Sequence, residues 1–201
     1  MKVYDISQEI LNCCVYPGDP VPQRTILHSM EQGALYNLST VQMCVHNGTH
    51  IDAPAHFLKG GSTVGNIRLD SFVGLAYVAQ HDGIVSADDA AAILDKAQAV
   101  SHEAARRILI KGNAEVSPEA AEVFARSDIL LVGNESQSVG PEDATMAVHK
   151  LLLEKAIVLL EGVRLASVPE GVYLLSAAPL NIAEAEGSPC RAVLIDWKDQ
   201  I

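Results

Sequence analysis

Aromatic residues are scarce in this chain of 201 residues: one tryptophan, five tyrosines and three phenylalanines. That leaves little for stacking on an aryl substrate. Basic residues are also few, 14 Lys and Arg against 25 Asp and Glu, for a net charge of −11. Such acidity argues against nucleic acid and against anionic membrane surfaces as partners. No apolar run approaches the ~20 residues of a membrane span, and Met1-Lys2-Val3-Tyr4-Asp5-Ile6 reads as an alternating strand rather than a signal peptide. The four cysteines, Cys13, Cys14, Cys44 and Cys190, form no C-x-x-C pattern, and adjacent Cys13 and Cys14 are poorly placed to bridge. Reduced thiols in a cytoplasm are the expectation. No repeat, low-complexity tract or linker divides the chain, and 49% hydrophobic residues suffice for a substantial core. A single domain over residues 1–201 is expected.

What the chain does have is concentrated between His46 and His56. His46-Asn47-Gly48-Thr49-His50-Ile51-Asp52-Ala53-Pro54-Ala55-His56 places three of the seven histidines and a carboxylate in eleven positions. Imidazole with carboxylate suits zinc, manganese or iron(II). His46 and His50 are four apart, as in helical zinc-protease motifs, but Asn47 stands where that motif needs its glutamate. Gly48, Thr49 and Pro54 are also poor company in a helix interior. The alternating stretch Leu38 to Val45 reads instead as a strand that opens into a tight loop near His46, with Gly48 supplying the sharp turn. His50 and Asp52, two apart, then lie on one side of an extended segment. Any one of these histidines alone would read as a polar surface group; four convergent groups around a Gly turn and a Pro read as a site. Cys44 is expected to point into the core as a small apolar group.

Strands are expected at Lys2 to Ile6, Gln23 to His28, Leu38 to Val45, Gly74 to Gln80, Arg107 to Lys111, Ile129 to Val132, Ile157 to Leu160, Val172 to Leu175 and Cys190 to Asp196. Helices are expected at Ala87 to Gln98, Pro118 to Arg126 and Asp143 to Lys155, the second opened by Ser117 as cap with Pro118 at the first helical position. The class is α/β, with a mixed sheet or barrel. A single loop fixes an ion weakly, so further ligands are sought downstream. His149 in the third helix and Glu161 after the apolar run Ile157 to Leu160 are candidates. Spacing alone leaves each equally readable as a surface helix residue or a turn acid.

The loop resembles the H-x-G-T-H-x-D-x-P-x-H signature of the cyclase family of metal-dependent hydrolases, whose best-known members are bacterial kynurenine formamidases. The likeness continues at Tyr16-Pro17-Gly18-Asp19, at Ser138-Val139-Gly140-Pro141, at His149 followed by Glu161-Gly162, and from Gly187 to Leu194. The resemblance implies a swivelling β/β/α-type domain with a barrel-like mixed sheet and flanking helices. It implies two divalent ions, zinc with manganese as the alternative. His46, His50 and Asp52 would hold one ion, His149 and Glu161 the other, and Asp52 would bridge. His56 matches the catalytic histidine, and Tyr16 takes a substrate-binding position usually filled by tryptophan. Asn181 and Glu135 also depart from the kynurenine formamidase pattern, which usually has a basic residue and Asp at these places.

The expected activity is arylformamidase-like hydrolysis of a small amide or N-formyl amide by water made acidic at a metal, with His56 moving the proton. No G-x-S-x-G elbow offers a serine nucleophile. Two alternatives stand beside this: opening of a cyclic amide, imide or lactone at the same site, and a non-catalytic metal-binding or ligand-sensing module. A closed structural zinc site fits poorly, because no cysteine occupies a ligand position in the cluster. The expected partners are a small-molecule substrate and further copies of the chain, as a homodimer or homotetramer.

Overall fold

Short β-branched runs punctuated by glycine and proline give short strands, and the computed structural model, which describes residues 1–197, is built on them. In chain order they are β1 (Lys2–Asp5), β2 (Gln23–His28), β3 (Leu38–Gln42), β4 (His50–Asp52), β5 (Val73–Gln80), β6 (Gly83–Val85), β7 (Arg107–Lys111), β8 (Ala114–Val116), β9 (Leu131–Asn134), β10 (Val158–Glu161), β11 (Gly171–Ser176), β12 (Gly187–Pro189) and β13 (Val193–Asp196). Three α-helices accompany them: α1 (Ala87–Val100), α2 (Pro118–Ala125) and α3 (Thr145–Leu153). No helix among the described residues is long and apolar enough to cross a membrane.

Nine strands form one curled mixed sheet in the order β1-β13-β11-β5-β7-β9-β10-β4-β12. Its centre, β5-β7-β9-β10, is parallel; the flanking strands pair antiparallel. This is the mixed α/β architecture expected from the sequence. β2 and β3 make a separate antiparallel ribbon, and β6 and β8 a short parallel pair.

Side-chain parity sorts the core into two layers. Ile108, Ile110, Val132 and Leu159 face α1, α2 and α3, meeting Ile93, Leu94, Phe124, Val148 and Leu152. Leu109, Leu131, Val158 and Leu160 face the opposite side and meet Ile6, Ile51, Phe72 and Leu194. Both faces of the parallel centre are covered, which is why these strands read as unbroken apolar runs.

The helices start where their caps place them. Ser86 and Asp89 close a capping box on α1, and Ser117 accepts from Ala120 N at the start of α2, with Pro118 behind it. α3 is shorter than expected, beginning at Thr145: residues 141–144 are a turn in which Thr145 Oγ1 donates to Pro141 O. The strand expected from Leu38 to Val45 ends at Gln42, because its pairing with β2 runs only from Gln23↔Gln42 to His28↔Leu38. Four short strands, β4, β6, β8 and β12, have too few residues to show a period in the sequence.

Cys44 departs from its expected core position. It is half-buried, with Sγ 3.8 Å from Asp19 Oδ2, because the strand has ended before it and the chain is already turning.

Candidate metal centre

The site forms where β4, β10 and α3 meet. Antiparallel register sets His50 directly opposite Glu161, and Asp52 opposite Leu159. Glu161 shares its face with Leu159, the face that packs under the helices, so β10 delivers a carboxylate beneath α3. Ile51, between His50 and Asp52, turns into the other core layer. From above, α3 lowers His149, which is buried with Val148, Leu152 and Leu153. The left-handed turn at Gly48 (φ +68°) brings His46 back over the same spot. On the far side of β4, Gly187 faces Asp52, and a Cβ there would lie 2.5 Å from His46 Cε1, so this approach requires glycine.

Five side chains distant in sequence thus surround one small volume. His46 Nδ1 lies 2.7 Å from Asp52 Oδ1. His50 Nε2 lies 3.4 Å from both Asp52 Oδ1 and Glu161 Oε2. His149 Nε2 lies 3.3 Å from Asp52 Oδ2 and 3.2 Å from Glu161 Oε1. The ligand atoms group into two trios, His46–His50–Asp52 and Asp52–His149–Glu161, with Asp52 common to both. These are the five residues singled out in the sequence, and the structure brings all of them together.

Each ring is aimed by a second contact. His50 Nδ1 donates to Gly48 O at 3.0 Å and His149 Nδ1 to Thr145 O at 2.7 Å, which leaves both Nε2 atoms toward the carboxylates. Glu161 Oε1 accepts from Val139 N at 2.7 Å. The Ser138-Val139 segment matters to the site because it anchors this carboxylate.

Four of the five are almost wholly buried: His50, Asp52, His149 and Glu161 are each 1–2% exposed. Burial would push the imidazole of His149 down, but Asp52 and Glu161 beside it raise it to about 10; His50 is likewise held well above its ordinary range against the cost of burial. Burial would push Asp52 up, yet the facing imidazoles of His149, His46 and His50 hold it well below the usual carboxylate range. Burial and the charge of Asp52 both work to raise Glu161, but contacts with His149 and His50 bring it below its ordinary value. Protons on imidazoles thus supply the positive charge that buried carboxylates demand.

A divalent cation fits these residues. Asp52 Oδ2 and His46 Nε2 are buried without a hydrogen-bond partner, a costly state for a carboxylate oxygen and a ring nitrogen. Three imidazoles and two carboxylates are the donor set of zinc- and manganese-type sites.

His56 stands apart. Its Nε2 is 3.8 Å from Asp52 Oδ2, its ring stacks on His46 at 4.0 Å, and its edge meets Phe57. It is partly exposed, and burial outweighs the pull of Asp52 to hold its pKa below the ordinary value, so it is neutral near pH 7. A cavity of about 250 Å³ is lined by His46, His50, His56, His149 and Glu161, together with Tyr16. Asp19, Phe57, Gln137 and Thr145 also line it. Glu186 lies 3.6 Å from His46 Nε2. Asp19 sits in the turn-rich segment after Tyr16, a visible signal; Gln137, Thr145 and Glu186 carried none, because only tertiary packing brings them here.

Comparison with known proteins agrees with this geometry. The Cyclase family model matches residues 4–141. The chain is 34% identical over 215 aligned positions to the kynurenine formamidase of Salinibacter ruber, covering 99% of this chain and 100% of that protein. A solved structure described as a potential metal-dependent hydrolase with cyclase activity superposes with a TM-score of 0.79 at 28% identity, covering 96% of each chain. Isatin hydrolase A from Labrenzia aggregata shares the fold, with a TM-score of 0.80 at 18% identity over 96% of this chain and 93% of that one.

Proposed function

The chain belongs to the Cyclase family, and on that premise we propose that it is a metal-dependent hydrolase cleaving a non-peptide C–N bond in a small amide or N-formyl amide. The observation that carries this reading is the shared carboxylate: Asp52 belongs to both ligand trios, while His56 stands beside them uncommitted.

His46, His50 and Asp52 would hold one divalent ion, and Asp52, His149 and Glu161 a second; zinc is the first choice and manganese the alternative. When bound, such an ion acidifies water toward a pKa of about 7 and polarises a carbonyl oxygen. The chain's own residues do the rest. The cavity would receive the substrate, with Tyr16 on its wall. His56 Nε2, neutral at pH 7, accepts the proton from the attacking water as the C–O bond forms. It then returns that proton to the departing nitrogen as the C–N bond breaks.

The exposed apolar side chains of the β2–β3 ribbon and its connection, Ile26, Leu27, Met30, Leu35 and Tyr36, support assembly as a homodimer or homotetramer. Four free thiols support a reducing, cytoplasmic setting.

The test is His56→Ala, with metal content and turnover of an N-formylaniline measured on one sample. The expected result is parental metal content with turnover reduced ~10²–10⁴-fold. Parental turnover would remove His56 from the reaction, and loss of metal would make it a ligand. Small cyclic imides assayed beside the formanilides distinguish ring opening from cleavage of an open-chain amide.

A further inference from the structure

Gly48 provides more than a turn. Its carbonyl accepts from His50 Nδ1, and because a carbonyl can only accept, that bond fixes the His50 proton on Nδ1 and frees Nε2 for the ligand trio. A glycine at φ +68° does not by itself hold its carbonyl in one direction. Something else must.

That role falls to a pair of glutamines 129 positions apart in the chain. Gln137 Nε2 donates to Gly48 O at 3.1 Å, so this oxygen receives two N–H groups. Gln8 Nε2 donates to Gln137 Oε1 at 2.7 Å and to Gly162 O at 2.8 Å. Gln8 Oε1 accepts from Cys14 N at 2.8 Å. The network assigns its own amide orientations. Gly162 O and Cys14 N fix which end of Gln8 is nitrogen, which makes the facing atom of Gln137 its oxygen and leaves its nitrogen for Gly48. Thr49 Oγ1 ties the same corner, donating to Gly162 O at 2.8 Å and accepting from Gln8 N at 2.9 Å. Four segments separate in sequence are clamped at the base of the metal loop.

We propose that Gln137, braced by Gln8, is a positioning residue for the metal centre: it holds the Gly48 carbonyl in place and so fixes the tautomer and aim of His50. This rests on the functional reading above. A hydrogen-bond partner behind a ligating histidine is worth ~10–100-fold in metal affinity, and here that partner is a flexible glycine carbonyl with its own support.

The variants are Gln137→Met and Gln8→Met, which keep length and remove the amide from two half-buried positions. Zinc affinity is read by competition with a chelator, and the His50 Nδ1–H by nitrogen–proton correlation in the zinc-loaded protein. Gln137→Met is expected to bind zinc ~10–100-fold more weakly and to lose or broaden the His50 Nδ1–H signal. Gln8→Met is expected to lose ~3–10-fold, and the double variant no more than Gln137→Met alone, because Gln8 acts through Gln137. A lower melting temperature with parental zinc affinity and an unchanged Nδ1–H signal would make the pair merely structural and overturn the proposal. If Gln137→Met does not fold, Gln8→Met decides: parental affinity there overturns the proposal as well. A parent protein that takes up no zinc overturns the functional reading first and this inference with it.

Discussion

Asp52 carries a heavier share of the site than any other side chain, because each of its oxygens faces a different set of imidazoles. Asp52→Asn is therefore expected to bring metal content, read by elemental analysis, close to zero. Glu161→Gln touches one trio and leaves His46–His50–Asp52 intact, so roughly half the metal should remain. Parental content in Asp52→Asn would contradict the shared-carboxylate geometry. The imidazoles set a pH dependence with a definite sign. His149 rises from an ordinary 6.5 to about 10 in the fold, so its contribution to metal-free stability is complete below about pH 6.5 and is lost as pH climbs through about 10. With metal bound, His149 would serve as a neutral ligand and this loss would disappear. Melting temperatures of chelated and zinc-loaded protein should therefore diverge between pH 6.5 and 10, the chelated sample falling; parallel curves would argue against ligation by His149.

Among the elements, β4 matters most and was the hardest to foresee. Three residues between Thr49 and Ala53 show no period, yet pairing with both β10 and β12 fixes which way each side chain points. The sequence showed that His50 and Asp52 share a side; it could not show that Glu161 lies across from His50, because strand register is a tertiary fact. His149 and Glu161, ambiguous from spacing alone, are brought beside Asp52 by the parity of β10 and the buried face of α3. The capped starts of α1 and α2 were legible because capping is local chemistry, whereas the shortened α3 depends on a Pro141 turn that propensity does not separate from helix. Gly187 on β12 gives a test at this scale. Gly187→Ala places a methyl against the His46 ring and should weaken metal binding with little loss of overall stability. Phe124→Ala on α2 should do the reverse, costing ~3–5 kcal/mol in chemical denaturation while metal affinity stays within about twofold. Equal effects of the two on metal affinity would mean that the centre is not a local construction.

At the scale of the whole molecule, the curled sheet gives the centre its rigidity. A parallel core covered on both faces holds β10, and the flanking β4–β12 pair lays the histidine loop against it. The α/β class, the three helices and the clustering of His46, His50 and Asp52 were readable from the residues, whereas His149 and Glu161 were singled out only by the family resemblance. The strand order and the glutamine brace were not, because both are made by tertiary contacts between segments far apart in sequence, such as Lys2 with Asp196 and Gln8 with Gln137. The fold alone does not choose a substrate: an isatin hydrolase shares it at 18% identity. The most direct trial of the account is turnover of an N-formylaniline or small cyclic imide by protein purified without added metal, then stripped by a chelator, then reloaded with zinc or manganese, with metal per chain counted at each stage. One to two ions per chain are expected on reloading, with turnover lost on stripping and regained in step with the ions. Undiminished turnover by the stripped protein would contradict a metal-dependent reaction at this site.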